Sequence, residues 1–301
     1  MDEVVDQYRI DKARVRASFS RAAMSYDASA VLQKQVRDEM FSRLDLINIK
    51  PLALRGSAIL DAGCGTGLGS FALQNRFKKS QVISMDIALG MLQKTKTQRP
   101  LLNKLLNQQY LLCADIESLP VATSSISLLW SNLALQWCND LDAAFTEFHR
   151  VLKPEGLLMF STFGPDTLRE LRTASSQDNT TSVSRFIDMH DIGDALVRAG
   201  FSAPVLDVER YTLTYDTVID VMRDLKAIGA HNAAEGRTRG LQGRGFLQKL
   251  AQNYEQFRVE NKLPATFEVV FGHAWKGKAR DKTKMDDGYA PINFVPKTIK
   301  S

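Results

Sequence analysis

The sequence has few cysteines, no long apolar run and no strong excess of charge. Its three cysteines, Cys64, Cys113 and Cys138, lack the spacing of a metal site, so we expect reduced thiols in a reducing compartment. The charged residues 1–16 contain no apolar core of the kind that secretory signals carry. The longest apolar runs, such as residues 156–160, are too short to cross a membrane. We therefore expect a cytoplasmic protein without a metal centre or a membrane partner.

The composition is otherwise that of an ordinary soluble protein. Hydrophobic residues make up 44% of the chain and charged residues 24%. The length of 301 residues fits one large domain or one domain with a sizeable insertion. A formal net charge of +5 is compatible with an acidic protein partner, although a solvated basic surface explains it equally well. We expect no nucleic acid partner.

A glycine-rich stretch follows the first predicted strand. The apolar residues 58–60 lead into Asp61, and glycines occupy every second position from Gly63 to Gly69. Glycine has no Cβ, so the backbone can bend sharply there and approach a ligand closely. The dinucleotide fingerprint Gly-x-Gly-x-x-Gly is absent, because the third position holds Leu68 or Ser70 in the two possible registers.

The spacing Asp-x-Gly-x-Gly-x-Gly instead resembles the first motif of class I S-adenosylmethionine (SAM) methyltransferases. SAM carries an ammonium group that favours carboxylate or carbonyl oxygens near such a turn, whereas a dinucleotide presents a pyrophosphate to a helix N-terminus. The resemblance implies that Asp61, Gly63, Gly65 and Gly67 hold SAM. The alternative is a glycine-rich turn between a strand and a helix that binds no ligand.

The elements around this stretch alternate between short apolar strands and amphipathic helices. We predict strands over residues 58–61, 81–86, 109–114, 126–131, 157–162, 205–213 and 267–275. We predict helices over residues 9–23, 28–46, 67–76, 88–96, 141–151, 166–174, 188–199, 216–228 and 246–257. Such alternation implies a parallel sheet in an α/β protein. The fold we expect is the Rossmann-like, seven-stranded sheet of class I methyltransferases.

Two helical segments lie outside the predicted sheet. We expect an N-terminal helical lid segment over residues 1–50 and a methyltransferase domain over residues 51–275. A helical insertion between strands six and seven, at about residues 214–264, would complete the lid. The basic residues 276–301 are predicted to be disordered, and we interpret the polar residues after the helix at 166–174 as a loop.

Polar and apolar side chains at the ends of the next strands supply further candidates for SAM binding. Asp86 ends strand two, where a carboxylate can accept both ribose hydroxyls of an adenosine; the alternative is a helix N-cap. Ile87 or Met91 could stack on the adenine, or could simply be packed in the core. By resemblance, Asp115 and Ile116 hold the adenine, and Asn132 lies near the methionine part of SAM.

Several further stretches narrow the resemblance. They are Phe-Ser-Arg-Ala-Ala-Met-Ser-Tyr-Asp at residues 19–27, Asp-Ile-Glu-Ser-Leu-Pro at 115–120, Trp-Ser-Asn-Leu-Ala-Leu-Gln-Trp at 130–137, Ser-Thr-Phe-Gly at 161–164, Leu-Lys-Ala-Ile-Gly-Ala at 225–230 and Glu-Gly-Arg at 235–237. Together they resemble the malonyl-acyl-carrier-protein O-methyltransferases of biotin synthesis. The resemblance covers about residues 19–275; the N-terminal lead and the basic tail fall outside the pattern.

This resemblance implies methyl transfer from SAM to the free carboxylate of malonyl-acyl-carrier protein or malonyl-CoA, which gives the methyl ester that primes pimeloyl synthesis. A carboxylate is already a nucleophile at neutral pH, so no general base is needed, and the four histidines form no poised pair with an acid. The resemblance points to Tyr26 as a group that orients the carboxylate; the alternative is packing between helices.

A bound carboxylate also calls for a cation, and the sequence leaves that cation open. Lys226 and Arg185 are the two candidates, and either could equally be a surface charge. His231 and Arg237 are weaker candidates. Basic residues in the predicted lid, namely Arg14, Arg16, Arg21, Lys226, Arg237, Arg239 and Arg244, would dock an acidic acyl carrier protein. Two other functions stay open: a SAM methyltransferase acting on a quinone or another carboxylate, and a respiratory-complex assembly factor that modifies protein arginine.

Overall fold

Seven strands form the central sheet of the protein. The strands are β1 (Ala58–Ala62), β2 (Gln81–Asp86), β3 (Gln109–Cys113), β4 (Ile126–Asn132), β5 (Leu152–Phe163), β6 (Phe201–Tyr215) and β7 (Leu263–Lys276). The computed structural model describes residues 9–47, 58–99, 109–176, 186–227 and 244–278. The strand order is β3-β2-β1-β4-β5-β7-β6, in which β1 to β5 are parallel and β7 runs antiparallel between β5 and β6. This arrangement confirms the predicted fold class.

Ten α-helices of the described residues surround the sheet. They are α1 (Lys12–Ala22), α2 (Tyr26–Ser29), α3 (Val31–Leu46), α4 (Leu68–Arg76), α5 (Leu89–Gln98), α6 (Leu141–Val151), α7 (Arg169–Ser176), α8 (Met189–Arg198), α9 (Val218–Ala227) and α10 (Arg244–Tyr254). One apolar cluster joins α3 to Trp130 and Val269, and another joins Phe145 to Phe160. Burial on both faces explains why the central strands are continuous apolar runs. None of the described helices is long and apolar enough to cross a membrane.

The N-terminal helices and β5 differ from the prediction in detail. The helix expected over residues 28–46 is divided into α2 and α3 because Ala30, at φ −84° and ψ 45°, leaves the helical region. Strand five begins earlier than expected, since Leu152 already pairs with Ile126 before the chain loops out and resumes pairing at Leu157. The predicted turn at residues 153–156 is thus an interruption within β5, with Glu155 at φ 61°.

The C-terminal half also departs from the predicted boundaries. Strands β6 and β7 are longer than expected because their antiparallel register continues from Phe201 opposite Lys276 to Tyr215 opposite Leu263. Lys276, the first residue of the predicted disordered tail, is instead the last residue of β7. Its Nζ donates a hydrogen bond to the carbonyl of Leu152 at 2.8 Å. Helix α7 begins three residues late, since a turn precedes it. The polar loop after α7 lies outside the described residues from residue 177, as does the tail from residue 279.

Helices α2 and α9 meet, as a lid made of both helical segments requires. The hydroxyl of Ser25, which precedes α2, donates to the carbonyl of Ala227 at the end of α9 at 3.4 Å. Residues 228–243 of the insertion lie outside the described residues. That these helices open and close over the site stays a prediction.

Candidate active site

The glycine-rich turn has the backbone that only glycine adopts readily. Gly63, Gly65 and Gly67 have φ values of +83°, +55° and +86°. A Cβ on Gly63 would lie 2.3 Å from the Cβ of Ala134, whereas one on Gly65 would meet no heavy atom closer than Tyr26 Cε1 at 3.8 Å. The turn is held by the amide groups of Gly63 and Cys64, which both donate to the carbonyl of Met85. The predicted turn between β1 and α4 is therefore present, and it is closely packed at Gly63.

Alanine substitutions at Gly63 and Gly65 should separate backbone strain from steric overlap. Both variants force a side chain into the left-handed region, at a cost of about 1–2 kcal/mol. Only Gly63→Ala also collides with Ala134, so we expect it to be destabilised by roughly 1–3 kcal/mol more than Gly65→Ala. Urea unfolding of both variants measures the difference, and equal destabilisation would contradict the packing described here.

Most of the residues predicted to bind SAM line one pocket at the carboxyl ends of the parallel strands. The empty space of the pocket, which opens to solvent, measures about 630 Å³. Its lining includes the predicted residues Tyr26, Gly63, Gly65, Asp86, Ile87, Met91, Asp115, Ile116 and Asn132. Two predicted residues do not line it. Asp61 lies beneath the turn, where it accepts a hydrogen bond from Ser70 Oγ at 2.5 Å, and Gly67 caps α4.

Asp86 joins the glycine turn to the start of α5 and still faces the pocket. Its two carboxylate oxygens accept hydrogen bonds from the amides of Gly65, at 2.9 Å, and Ala88, at 2.8 Å. A carboxylate has about four lone-pair sites, so acceptor capacity remains for a ligand. Burial raises the pKa of Asp86 to about 6, although both amide hydrogen bonds oppose that shift. Asp86 can therefore bind the backbone amide at the start of α5 and still accept hydrogen bonds from a ligand.

Asp61 is almost completely buried beside a cation that the sequence did not single out. Burial raises the pKa of Asp61 to about 7; the charge of Asp86 adds to the shift, while Ser70 and the Arg37 guanidinium oppose it. Arg37 comes from α3, which places a positive charge near the glycine turn. No local pattern marked this arginine, since it is one of several charged residues on an amphipathic helix.

The part of the pocket near Asp115 contains a second residue that sequence reasoning missed. Lys12 of α1 lines the pocket and forms ion pairs with Asp115, at 3.0 Å, and with Glu117, at 2.7 Å. Burial alone would lower the pKa of Lys12, but the negative partners outweigh it and the net shift is upward. Val15 and Phe19 of the same helix also line the pocket. Helix α1, which the sequence placed in the predicted lid segment, thus forms one wall of the pocket.

Tyr26 lies over the glycine turn. Its neighbour Asp27 accepts hydrogen bonds at 2.5 Å from Thr66 of that turn and from Gln98 of α5, which fixes α2 on the core. Burial and the charges of Asp86 and Asp27 raise the pKa of Tyr26, so its hydroxyl keeps its proton and can donate a hydrogen bond. The predicted substrate tyrosine is therefore in the same pocket as the predicted SAM residues.

Of the predicted cations, only Lys226 lies within the described residues, and it does not line this pocket. It is exposed on α9. Arg185, His231 and Arg237 lie outside the described residues. Within the ranges that the structure describes, no group of three or more His, Cys, Asp or Glu side chains could hold a metal ion. A reaction without metal stays a prediction.

Comparison with known proteins identifies the family. A family described as "Methyltransferase domain" matches residues 60–160. The malonyl-[acyl-carrier protein] O-methyltransferase of Methylovorus sp. (strain MP688) is 64% identical over 98% of this chain and 99% of its own length. The enzyme of that name from Laribacter hongkongensis is 52% identical over 97% and 99%. A candidate methyltransferase structure from Bacillus halodurans C-125 covers 80% of this chain and all of its own, with a TM-score of 0.55 at 16% identity, which shows the fold alone.

The similarity extends beyond the range expected from the sequence. The alignment with the Methylovorus enzyme spans 299 residues, so the N-terminal lead and the basic tail, which we placed outside the family pattern, are matched as well. An identity of 64% over nearly the full length of both proteins shows that the similarity is not confined to the SAM-binding core. The chain belongs to the malonyl-[acyl-carrier protein] O-methyltransferase family, within the class I methyltransferases.

Proposed function

We propose that the chain transfers the methyl group of SAM to the free carboxylate of malonyl-acyl-carrier protein. The product is the malonyl methyl ester, which primes pimeloyl synthesis for biotin. One observation carries the proposal: residues predicted for SAM from four different strands, together with Tyr26 from the preceding helices, line a single pocket. The names of the relatives supply the identity of the acceptor.

The pocket residues divide the binding of SAM among them. Asp86 accepts the ribose hydroxyls, and Asp115 accepts the adenine amino group while Lys12 holds its carboxylate in place. Ile87, Met91 and Ile116 pack against the adenine. The carbonyls of the glycine turn and the charge of Asp61 favour the cationic methionine end, where Asn132 lies close by. The carboxylate of Asp61 acts from beneath the turn rather than by lining the pocket.

The reaction needs no proton transfer. A carboxylate oxygen of the acceptor forms a bond to the methyl carbon as the carbon–sulfur bond breaks, and the electron pair of that bond returns to the positively charged sulfur. The malonyl carboxylate is ionised at neutral pH, so the protein has to position and partly desolvate it rather than deprotonate it. Good positioning of two reactants contributes roughly 7–11 kcal/mol to a rate enhancement.

A mass-spectrometric assay tests this proposal. The protein is incubated with SAM and, in separate reactions, with malonyl-acyl-carrier protein, malonyl-CoA or acetyl-acyl-carrier protein. We expect a mass gain of one methylene on the malonyl group and none on the acetyl carrier. Absence of methylation on both malonyl thioesters would reject the proposal and would reopen the quinone and protein-arginine alternatives, which no observation here favours.

Basic residues on α1 provide a docking surface for the acidic carrier protein. Arg16 and Arg21 are exposed, Arg14 is partly exposed and paired with Asp11, and Lys226 is exposed on α9. The side chains of Arg237, Arg239 and Arg244 lie outside the described part of the chain. Opposite charges across such an interface speed association and are screened by salt.

We expect the KM for malonyl-acyl-carrier protein to rise several-fold between about 50 mM and about 500 mM salt, because the Debye length shrinks over that range. The KM for SAM, measured in the same reactions, is the control for general salt effects. An Arg16→Ala/Arg21→Ala variant should start from a higher KM and respond less to salt. A carrier-protein KM that stays constant with salt would remove the electrostatic docking surface from the proposal.

A further inference from the structure

A second cavity lies beside the SAM pocket, at the carboxyl ends of β4 and β5; we call it the β5 groove. Its empty space, which opens to solvent, measures about 1520 Å³. Its lining consists of Arg9, Ile10, Leu135, Gln136, Cys138, Asn139, Leu141, Thr162, Phe163, Pro165, Arg172, Phe186, Ile187, Asp188, Asp191 and Ile192. The apolar side chains among these suit an acyl or pantetheine arm, and the charged ones suit a polar end group.

The β5 groove and the SAM pocket are neighbours on one edge of the sheet. Strands β4 and β5 pair in parallel up to Asn132 opposite Ser161, so both strands end at the same edge. Ligands of open α/β sheets bind at this edge. The 3-10 turn Leu135–Trp137 presents its first residue to the groove and its last to the SAM pocket, and Cys138 lines both cavities. An acceptor in the groove therefore lies next to the methyl donor.

Arg172 provides a fixed cation in this groove. It belongs to α7, whose residues Leu171 and Ala174 are each only 1% exposed, so the helix is firmly packed. The Arg172 side chain is half-buried, and its Nη2 donates to the carbonyl of Pro165, just after β5. Burial lowers the pKa of Arg172, yet a guanidinium stays charged at neutral pH.

The carboxylates near Arg172 are already engaged elsewhere. Glu170 accepts hydrogen bonds from the amide and hydroxyl of Thr266, and Asp166 pairs with Arg210 at 3.0 Å. Glu268 accepts a hydrogen bond from the amide of Asp166. Among the described residues, none of these acids comes within ion-pair distance of Arg172. A half-buried guanidinium with a single carbonyl partner retains donors for an anion.

We propose that Arg172 binds the carboxylate of the malonyl group in the β5 groove and thereby selects malonyl over uncharged acyl thioesters. A guanidinium matches a carboxylate with two parallel hydrogen bonds, which also fixes the orientation of the carboxylate. Arg9, the other cation of the lining, is exposed and has no comparable packing. This proposal rests on the proposed function, and it places the selecting cation on α7 rather than at Lys226 or Arg185.

Paired binding measurements with the full-length protein test the proposed role of Arg172. Malonyl- and acetyl-acyl-carrier protein differ by the carboxylate alone, so their Kd values, measured by calorimetry in the presence of S-adenosylhomocysteine, isolate its recognition. We expect the wild type to bind the malonyl carrier about tenfold more tightly, as charge-assisted hydrogen bonds require. Arg172→Gln should remove the difference while the Kd for SAM and the thermal midpoint stay near the wild-type values.

Arg169→Gln is the matched control, since Arg169 lies on the same helix, is exposed and pairs with Glu170. It should keep the malonyl preference. Arg172→Lys keeps the charge without the two-pronged donor geometry, so its malonyl-carrier KM should lie between those of the wild type and Arg172→Gln. If Arg172→Gln does not fold, a wild-type KM in Arg172→Lys overturns the proposal.

Two results would overturn the role of Arg172 and leave the proposed function intact. One is a malonyl preference that persists in folded Arg172→Gln. The other is a wild type that methylates malonyl-acyl-carrier protein yet binds the malonyl and acetyl carriers equally. Failure of the wild type to methylate any malonyl thioester is a different result, because it removes the proposed function itself. The mass-spectrometric assay on the wild type therefore precedes the binding measurements and separates the two failures.

Discussion

Replacing Asp86 with asparagine should weaken SAM binding by about 100-fold. An amide keeps the shape of the side chain but replaces a charged acceptor of two ribose hydroxyls with a neutral group that has one acceptor oxygen. Its nitrogen also cannot accept from one of the two backbone amides, of Gly65 or Ala88, that Asp86 binds. Hydrogen bonds to charged groups contribute roughly 1.5–3 kcal/mol each, and a loss near 3 kcal/mol is about 100-fold in Kd. The pocket position of Asp86 and its free acceptor capacity are the structural basis for this expectation.

The same carboxylate should give SAM binding a pH dependence of defined sign. Burial raises the pKa of Asp86 to about 6 in the unliganded protein, so the carboxylate is largely protonated at pH 5. Ribose hydroxyls donate to the ionised form, and the contribution of Asp86 to the affinity for SAM should therefore increase as pH rises through about 6. In Asp86→Asn this part of the pH profile should be absent, because an amide does not titrate.

Titration calorimetry between pH 5 and pH 8 measures both effects. Asp140→Asn is a suitable control, since Asp140 also accepts a backbone amide hydrogen bond, from Ala143, but caps α6 and does not itself line the SAM pocket. It should leave the Kd for SAM unchanged. An Asp86→Asn protein that binds SAM like the wild type would show that Asp86 only joins the glycine turn to α5.

The elements that position Asp86 could be predicted from sequence because their signals are local. Strand β2 was predicted with the bounds that the structure shows, since an apolar run between polar neighbours and a following helix specify it. The glycine turn was equally clear, because glycines at every second position after an apolar strand are a local pattern of a tight turn. Parallel strands present their carboxyl ends at one edge, so an acid after β2 was expected to face a ligand there.

Features that depend on distant partners could not be predicted in the same way. Lys12 contacts Asp115 across 103 positions of the chain, and no pattern around either residue specifies the other. The full length of β6 and β7 comes from their mutual register, which extends past the apolar core of each strand. Arg172 was indistinguishable from any other arginine on an amphipathic helix until the fold placed α7 beside the end of β5. The sequence therefore offered Lys226 and Arg185 as candidate cations; Lys226 is exposed, and Arg185 lies outside the described residues.

The position of Tyr26 is compatible with two roles: orienting the substrate carboxylate, as predicted, or binding the cofactor beside the glycine turn. The family resemblance predicts that it orients the malonyl carboxylate; in the structure it lies beside Gly65, and its pKa is raised by burial and the charge of Asp86. Its hydroxyl has no hydrogen-bond partner among the described residues, so the proton is available to a ligand. Both SAM and the acceptor carboxylate come together where the methyl group is transferred, and a tyrosine over the turn can reach that point.

For Tyr26→Phe we therefore expect kcat to fall by about 100-fold while the Kd for SAM changes by less than about threefold, because misorientation of a reacting group costs rate rather than affinity. Single-turnover methylation of malonyl-acyl-carrier protein and calorimetry with SAM measure the two quantities. Tyr211→Phe, which loses a hydroxyl bonded to Glu209 on β6, is the control for removing a tyrosine hydroxyl elsewhere. A parallel loss of rate and SAM affinity would assign Tyr26 to the cofactor, and the acceptor carboxylate would then depend on the β5 groove and Arg172 alone.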